Sequence, residues 1–538
     1  MYKDLRNHVG EIIFFLLIFL SLSAISQVRR PDPREVEQKF DAVMQIINFA
    51  YVDSVNEPKI VEKAIIETLK DLDPHSMYIS KKDLLRANEP LVGNFEGIGV
   101  QFEILKDTIT IVHPIAGGPS EKLGIMAGDK IIKINDENVA GKKISNQFVF
   151  DRLRGKRGTK VNVSIYRHGH SDLIDYTIVR DKIPIYSVDA AYMIEPGIGY
   201  INLNKFSSTS MGEIETGINK LKAQGLKSLI LDLRNNSGGL MNVAIDLADE
   251  FLPAGKLIVY TEGIHSSRAD YASTEHGLFE QGKLVVMINE NSASASEIVS
   301  GAVQDWDRGI ILGRRSFGKG LVQRPFDLPD SSQIRLTTAR YHTPSGRCIQ
   351  KSYTQGADKY DMELNNRFKH GELINPDSIK FPDSLKYYTS RKRVVYGAGG
   401  IMPDVFTAWD SIPITDFYMD VRRKNIVNVL IGDYVDKNRQ SLLSRYPDFK
   451  TFDKEYVVDS NMMNAFFDLV MKEGIKNNEK QFSLSEALIK TQIRSLIAEK
   501  LFDVTSSVAV LNEYDKEVQK AVEVIRNTSL FDKLKIQH

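Results

Sequence analysis

The sequence predicts an α/β core preceded by a β-rich module and flanked by helical N- and C-terminal regions, and three observations carry that expectation. Between residues 196 and 345 short apolar runs alternate with segments of helical spacing, the pattern of a largely parallel sheet covered by helices. From Phe95 to Asp181 the pattern shifts to short strands broken by turn formers, whereas residues 28–92 and 410–538 place apolar side chains at three- and four-residue steps. The 538 residues, 42% hydrophobic, can bury several cores at roughly 100–200 residues per domain. Formal net charge is zero and basic runs such as Arg391-Lys-Arg393 are short, so no nucleic-acid partner is expected.

At the N-terminus Lys3, Arg6 and His8 precede the apolar run Ile12–Leu20, and the small residues Ala24 and Ser26 follow it. This is the layout of a secretory signal over residues 1–26. The apolar run is shorter than the ~20 residues of a spanning helix, which favours cleavage near Ser26 over an uncleaved anchor. The expected location is therefore exported, in the periplasm or cell envelope. The single cysteine, Cys348, cannot form an intramolecular disulfide and is expected to be buried as a small apolar side chain. Val36–Phe49 and Ile60–Leu72 read as helices closed by the turn Leu72-Asp-Pro-His-Ser76. A histidine beside a proline turn, here His75, reads as a local hydrogen-bonding residue rather than a catalytic base.

The β-rich module, residues 95–181, contains Gly97-Ile-Gly-Val-Gln-Phe102 and Ala127-Gly-Asp-Lys-Ile-Ile-Lys-Ile-Asn135. Together these resemble a PDZ domain. Its loop, here Gly97, Ile98, Gly99 and Val100, would present converging N–H groups to a terminal carboxylate while an adjacent strand edge pairs with the peptide.

In the core, residues 190–409, the strand candidates are Gly199–Leu203, Ser228–Leu233, Leu257–Tyr260, Leu284–Ile288 and Ile310–Leu312. Met211–Gln224, Met241–Phe251 and Ser294–Trp306 carry helical spacing. Such sheets place sites at strand ends. Two segments fall there: Asp232-Leu-Arg-Asn-Asn-Ser-Gly-Gly-Leu240, and Asn291-Ser-Ala-Ser-Ala-Ser-Glu297 at a strand-to-helix junction, where backbone N–H groups lie free. The lysine of Ser316-Phe-Gly-Lys-Gly-Leu-Val-Gln323 supplies a base. A serine attacks only if something takes its proton, and a lysine with a pKa near ~10.4 is neutral in about one molecule in ~2,500 at pH 7. Burial against Phe317, Leu321 and Val322 would lower that pKa.

From Leu72 to Val405 the chain resembles the carboxyl-terminal processing (tail-specific) protease family. The resemblance is carried by Leu72-Asp-Pro-His-Ser76, the PDZ stretch, Asp232–Leu240, Ser292–Glu297, Phe317–Gln323, Tyr341-His-Thr-Pro-Ser-Gly-Arg347 and Gly399-Gly-Ile-Met-Pro-Asp404, in one order. It implies an α/β protease core with an inserted or preceding PDZ domain. It also implies Ser294 as nucleophile, Lys319 as general base and Gln323 as the residue that orients the lysine. The oxyanion donors would be Ala295 and the pair Gly238-Gly239, either of which could donate. It further implies Arg154 as an arginine that couples PDZ docking to activation. The implied activity is a serine endopeptidase acting on polypeptides with free C-termini through a Ser/Lys dyad. Two alternatives stay open: a catalytically inactive PDZ scaffold, and a chymotrypsin-like PDZ protease using Ser237 of Asn236-Ser-Gly-Gly239.

Residues 351–396 read as a polar insertion that shapes the cleft or forms a mobile loop. In the helical region 410–538, Ser483-Leu-Ser-Glu486 has capping-box spacing, and Leu484, Leu488, Ile493, Leu496, Ile497 and Leu501 mark an apolar stripe. This region is expected to pack onto the core, or to serve a homo-oligomer or adaptor contact. No His/Cys ligand spacing appears, so neither metal nor cofactor is expected.

Overall fold

The computed structural model describes residues 33–115, 117–275, 277–409, 414–476 and 478–537. The predicted signal at residues 1–26 lies outside them. Among the described residues no helix is long and apolar enough to cross a membrane. Pro33–Ala50 and Glu57–Lys70 form helices in a unit of their own, the second started by the Asn56 side chain accepting from the Lys59 amide and ending before the expected Leu72. The chain from Leu72 onward forms the other unit.

In that unit a six-stranded sheet runs in the order Val188–Glu195, Ile198–Leu203, Ser228–Asp232, Lys283–Ile288, Ile310–Gly313 and Val405–Phe406. Only the first pair is antiparallel. Helices Ser210–Ala223, Met241–Asp249 and Ala295–Asp305 contribute Ile214, Leu247 and Val299 to the core on one face. The other face, with Ile230, Val285 and Leu312, is covered by Val518, Ala521, Ile525 and Phe531 of the last helices. The C-terminal region is therefore divided: its end is a layer of the α/β core, and helices from Asp416 to Leu501 close a separate core around Ile431, Phe466 and Ile493.

Three expectations need correction. Leu257–Gly263 does not join the parallel sheet; it pairs antiparallel with Gln333–His342 in a second sheet that also holds Met77–Ile79, Ser266–Ala272 and Leu321–Asp327. A short apolar run carries no information about which sheet recruits it. Ser483 does not cap a helix: the helix Glu479–Leu501 begins a turn earlier, where the Asn478 side chain accepts from the Gln481 amide. Leu484 is exposed and drops out of the expected stripe, whereas Ile493, Ile497 and Leu501 are buried, Leu488 and Leu496 pack against the same core, and Ile489 joins them.

The module 97–178 is an antiparallel sheet in which Val100–Leu105 is an edge strand, paired among the described residues only with Thr108–Pro114. The loop Gly97–Val100 leads into that edge, with Gly99 at φ 73°. The helix Asn146–Leu153 packs its Phe150 ring on Phe102 of the edge strand, 5.6 Å between centroids.

Candidate active site

The three serines of the Ser292–Ser296 segment have different environments. Ser292 Oγ donates to the Leu233 carbonyl and Ser296 Oγ to that of Asn236, and both residues are fully buried. Alternation leaves Ser294 facing a cavity of about 1030 Å³. Ser294 sits between the strand Lys283–Ile288 and the helix Ala295–Asp305 at φ 56°, ψ −111°. A serine pays conformational strain there, as tight strand-to-helix turns that project a side chain do. The first amide of the following helix, Ala295 N–H, has no partner among the described residues.

Gly238 lies directly against the nucleophile: a Cβ at its φ of 95° would stand 2.9 Å from Ser294 Cβ and 3.0 Å from the Ala295 nitrogen. Its amide is already donated to Asn236 Oδ1 at 2.9 Å. Gly239 lines the cavity, and its amide has no partner among the described residues.

Lys319 lines the same cavity from a loop threaded between Gln350–Lys351 and Gly399–Gly400. A Cβ on Gly318, at φ 91°, would meet the Gly399 and Gly400 backbone at 3.1 Å. Burial pulls the Lys319 amine below the ordinary lysine value; Asp73 and Glu297 oppose that shift, and Lys205 and Arg335 support it. Among the described residues no hydrogen bond joins Lys319 Nζ to Ser294 Oγ or to Gln323. Gln323 also lines the cavity, but its Nε2 donates to Thr337 Oγ1 at 3.2 Å, and that hydroxyl donates to Asp73.

Sequence reasoning missed what joins the two segments. The amides of Ser294 and Lys319 both donate to Glu297 Oε2, at 2.8 and 2.9 Å. The carbonyls of the same two residues both accept from the Tyr341 hydroxyl, at 3.1 and 2.8 Å. Glu297 is completely buried and also accepts from Gly318 N–H and Ser316 Oγ. Burial pushes it above the usual carboxylate range against the pull of these donors. Its only sequence signal is its place three residues into a helix that starts at Ser294.

His75 is more than a local turn residue. Its amide donates to Asp73 Oδ1, as a turn would require, but its ring lines the cavity and meets the Tyr360 hydroxyl at 2.7 Å. Burial, with help from Lys319, lowers its pKa to about 4, so it is neutral at pH 7. Tyr360 belongs to the predicted insertion, which is ordered against the lysine loop: Arg367 donates to the carbonyls of Arg315, Ser316 and Phe317. Ser237 is exposed at the cavity rim and accepts from Lys205 at 3.2 Å. Arg154 pairs with Glu89 and stacks on Phe95 and Phe150, at 4.5 and 4.6 Å. Cys348 is half-buried, and burial raises its thiol pKa.

Residues 197–358 match peptidase family S41, residues 97–178 match the PDZ domain family, and residues 417–503 match a family of unknown function, DUF8443. The chain is 35% identical over 354 residues to a carboxy-terminal-processing protease of Bartonella bacilliformis, spanning 64% of this chain and 80% of that protein. It is 32% identical over 345 residues to a probable CtpA-like serine protease of Staphylococcus aureus, 63% of this chain and 67% of that one. Among solved structures, the photosystem II D1 C-terminal processing protease is 30% identical, covering 58% of this chain and 89% of its own, with a TM-score of 0.32. With a relative matched over four-fifths of its length and an α/β core that carries a PDZ domain, the chain belongs to the carboxy-terminal-processing proteases of peptidase family S41 and is a serine-type peptidase.

Proposed function

We propose that this peptidase cleaves polypeptides near their C-termini through an acyl-enzyme formed on Ser294, with Lys319 as general base and the PDZ loop Gly97–Val100 receiving the terminal carboxylate. The observation that carries the dyad is the double tether of Ser294 and Lys319 through Glu297 and Tyr341, on the wall of one cavity. Burial favours the neutral amine that a base requires. Ser294 Oγ attacks the scissile carbonyl carbon as its proton passes to Lys319 Nζ. The oxyanion is received by the unpartnered amides of Ala295 and Gly239; the Gly238 amide is committed to Asn236. Collapse breaks the C–N bond, and the leaving amine takes the proton from Lys319. Water then attacks the ester, Lys319 takes its proton in turn, and Ser294 is restored as the new carboxyl terminus departs. Gln323 holds the lysine's direction once Nζ swings toward the serine.

Tail delivery is supported by the edge of Val100–Leu105 that no strand pairs among the described residues, beside the carboxylate loop, where an extended peptide can add as a strand. Export to the cell envelope is part of this reading and rests on residues 1–26. The deciding experiment incubates an unfolded substrate, with a free or an amidated C-terminus, with wild type, Ser294→Ala, Lys319→Ala and Ser237→Ala. Cleavage should vanish in the first two variants, persist in the third and favour the free tail. Equal cleavage by wild type and Ser294→Ala would refute the dyad, and loss in Ser237→Ala alone would move the nucleophile to Ser237.

A further inference from the structure

The cavity around Ser294 has a charge pattern that the dyad leaves unexplained. Its lining includes Lys205, Lys319 and Arg335 and no aspartate or glutamate. Lys205, just past the strand Ile198–Leu203, donates only to Ser237 Oγ among the described residues. Arg335, on the strand Gln333–His342, donates to the Ala87 carbonyl at 3.4 Å and to Asn88 Oδ1 at 2.7 Å. Neither has a carboxylate partner among the described residues, although both are half-buried. The nearby carboxylates are already occupied. Asp73 accepts from the His75 and Ser76 amides, Ser76 Oγ and Thr337 Oγ1, and Glu297 accepts from four donors of its own. Burial pulls both Lys205 and Arg335 below their ordinary pKa values, as expected for half-buried cations whose acceptors among the described residues are all uncharged.

We propose that Lys205 and Arg335 form a carboxylate subsite in the catalytic cleft, so that the enzyme selects peptides that present an acidic group to this wall. The group is an Asp or Glu side chain, or the terminal carboxylate of a short tail. Both cations line the cleft and face no carboxylate among its lining residues, so an acidic group of a peptide that enters it would meet charge-assisted donors. This selection is separate from capture of a C-terminus at the PDZ loop. It deepens the peptidase reading and rests on it for the place of the scissile bond, but capture of the carboxylate can be measured without turnover.

The test measures binding of short fluorescent peptides to the Ser294→Ala protein by anisotropy. Asp is scanned against Asn along an apolar amidated sequence, and an acid-free sequence is compared with free and amidated ends. In at least one pair the acid should bind about tenfold tighter. Lys205→Glu and Arg335→Glu should each erase that preference and shift it toward a Lys-bearing twin, whereas Lys205→Arg should keep it. A preference seen with internal Asp assigns the subsite to side chains. One seen only with free tails, and lost in Lys205→Glu, assigns it to the terminus. Equal affinities across all pairs, or a preference that survives the doubly reversed protein with an unchanged melting temperature, overturns the proposal. Turnover by the Ser294-bearing enzyme is followed in parallel: failure to cut any peptide counts against the dyad and leaves the binding result to decide the subsite.

Discussion

Glu297 and Tyr341 hold four backbone atoms of two residues 25 positions apart. Their side chains act on catalysis only through the positions of Ser294 and Lys319, where small displacements cost orders of magnitude in rate. Tyr341→Phe removes the one hydroxyl that both carbonyls share. It should lower kcat by about 10–100-fold for a stability loss of about 1–2 kcal/mol, with KM little changed. Glu297→Gln should cost more, because an amide has one acceptor oxygen for four donors and turns its NH2 toward the rest. Chemical denaturation alongside initial rates separates the two effects. Lys319 presents the opposite trade. Its folded pKa is lowered, so between that value and the ordinary lysine value of ~10.4 the unfolded state holds a proton the folded state has released. Stability therefore rises with pH through that window, and at neutral pH the folded state carries a penalty. Lys319→Met should abolish cleavage while raising Tm at pH 7, and the gain should fade as the pH approaches 10. A lowered Tm at pH 7 would contradict the burial argument.

At the scale of elements, the strand-to-helix turn at Ser294 and the glycine turn at Gly238 are built against each other. Gly238→Ala would place a methyl 2.9 Å from Ser294 Cβ at a φ of 95° that L-residues avoid. It should cost about 1–3 kcal/mol in stability and nearly all activity, while leaving peptide binding at the PDZ module intact. These turns were legible in the sequence because their signals are local: an apolar strand, an Asn-Ser-Gly-Gly turn, alternating serines, a lysine between glycines. The tethers were not. Nothing local in Tyr341 distinguishes a strand tyrosine packed in the core from one whose hydroxyl reaches two carbonyls on other segments. The run Leu257–Tyr260 reads as part of the parallel sheet for the same reason, since strand period says nothing of partner. Ser483 looked like a cap because capping-box spacing recurs inside helices; Asn478, a turn earlier, takes that role. The polar composition of 351–396 concealed Tyr360 and Arg367, which brace the lysine loop at the Phe317 ring and the Ser316 carbonyl.

At the scale of the whole unit from Leu72 onward, the edge strand of the PDZ module is held by the C-terminal helices. Lys106, just past that strand, pairs with Asp433 at 3.3 Å, Glu103 lies 3.8 Å from Lys500, and Leu105 packs on Gly432. The backbone also comes close at Gly128, where a Cβ would stand 1.9 Å from Asp436 Oδ1 on the helix Ile426–Arg445. The sequence could not announce this contact, because amphipathic helices reveal that a face is covered but not by what. Exposed ion pairs such as Lys106–Asp433 contribute little each, so the seat of the module depends on packing more than on charge. Gly128→Val, which adds bulk at a φ of 90° against Asp436, should therefore loosen the module without unfolding the catalytic core. Amide exchange should accelerate in residues 100–105 and 426–436, whereas strands 228–232 and 283–288 stay protected. Asp433→Lys, which reverses one surface charge, should change exchange far less. If both variants leave exchange at 100–105 as in wild type, the C-terminal helices do not restrain the edge on which a peptide tail would be received.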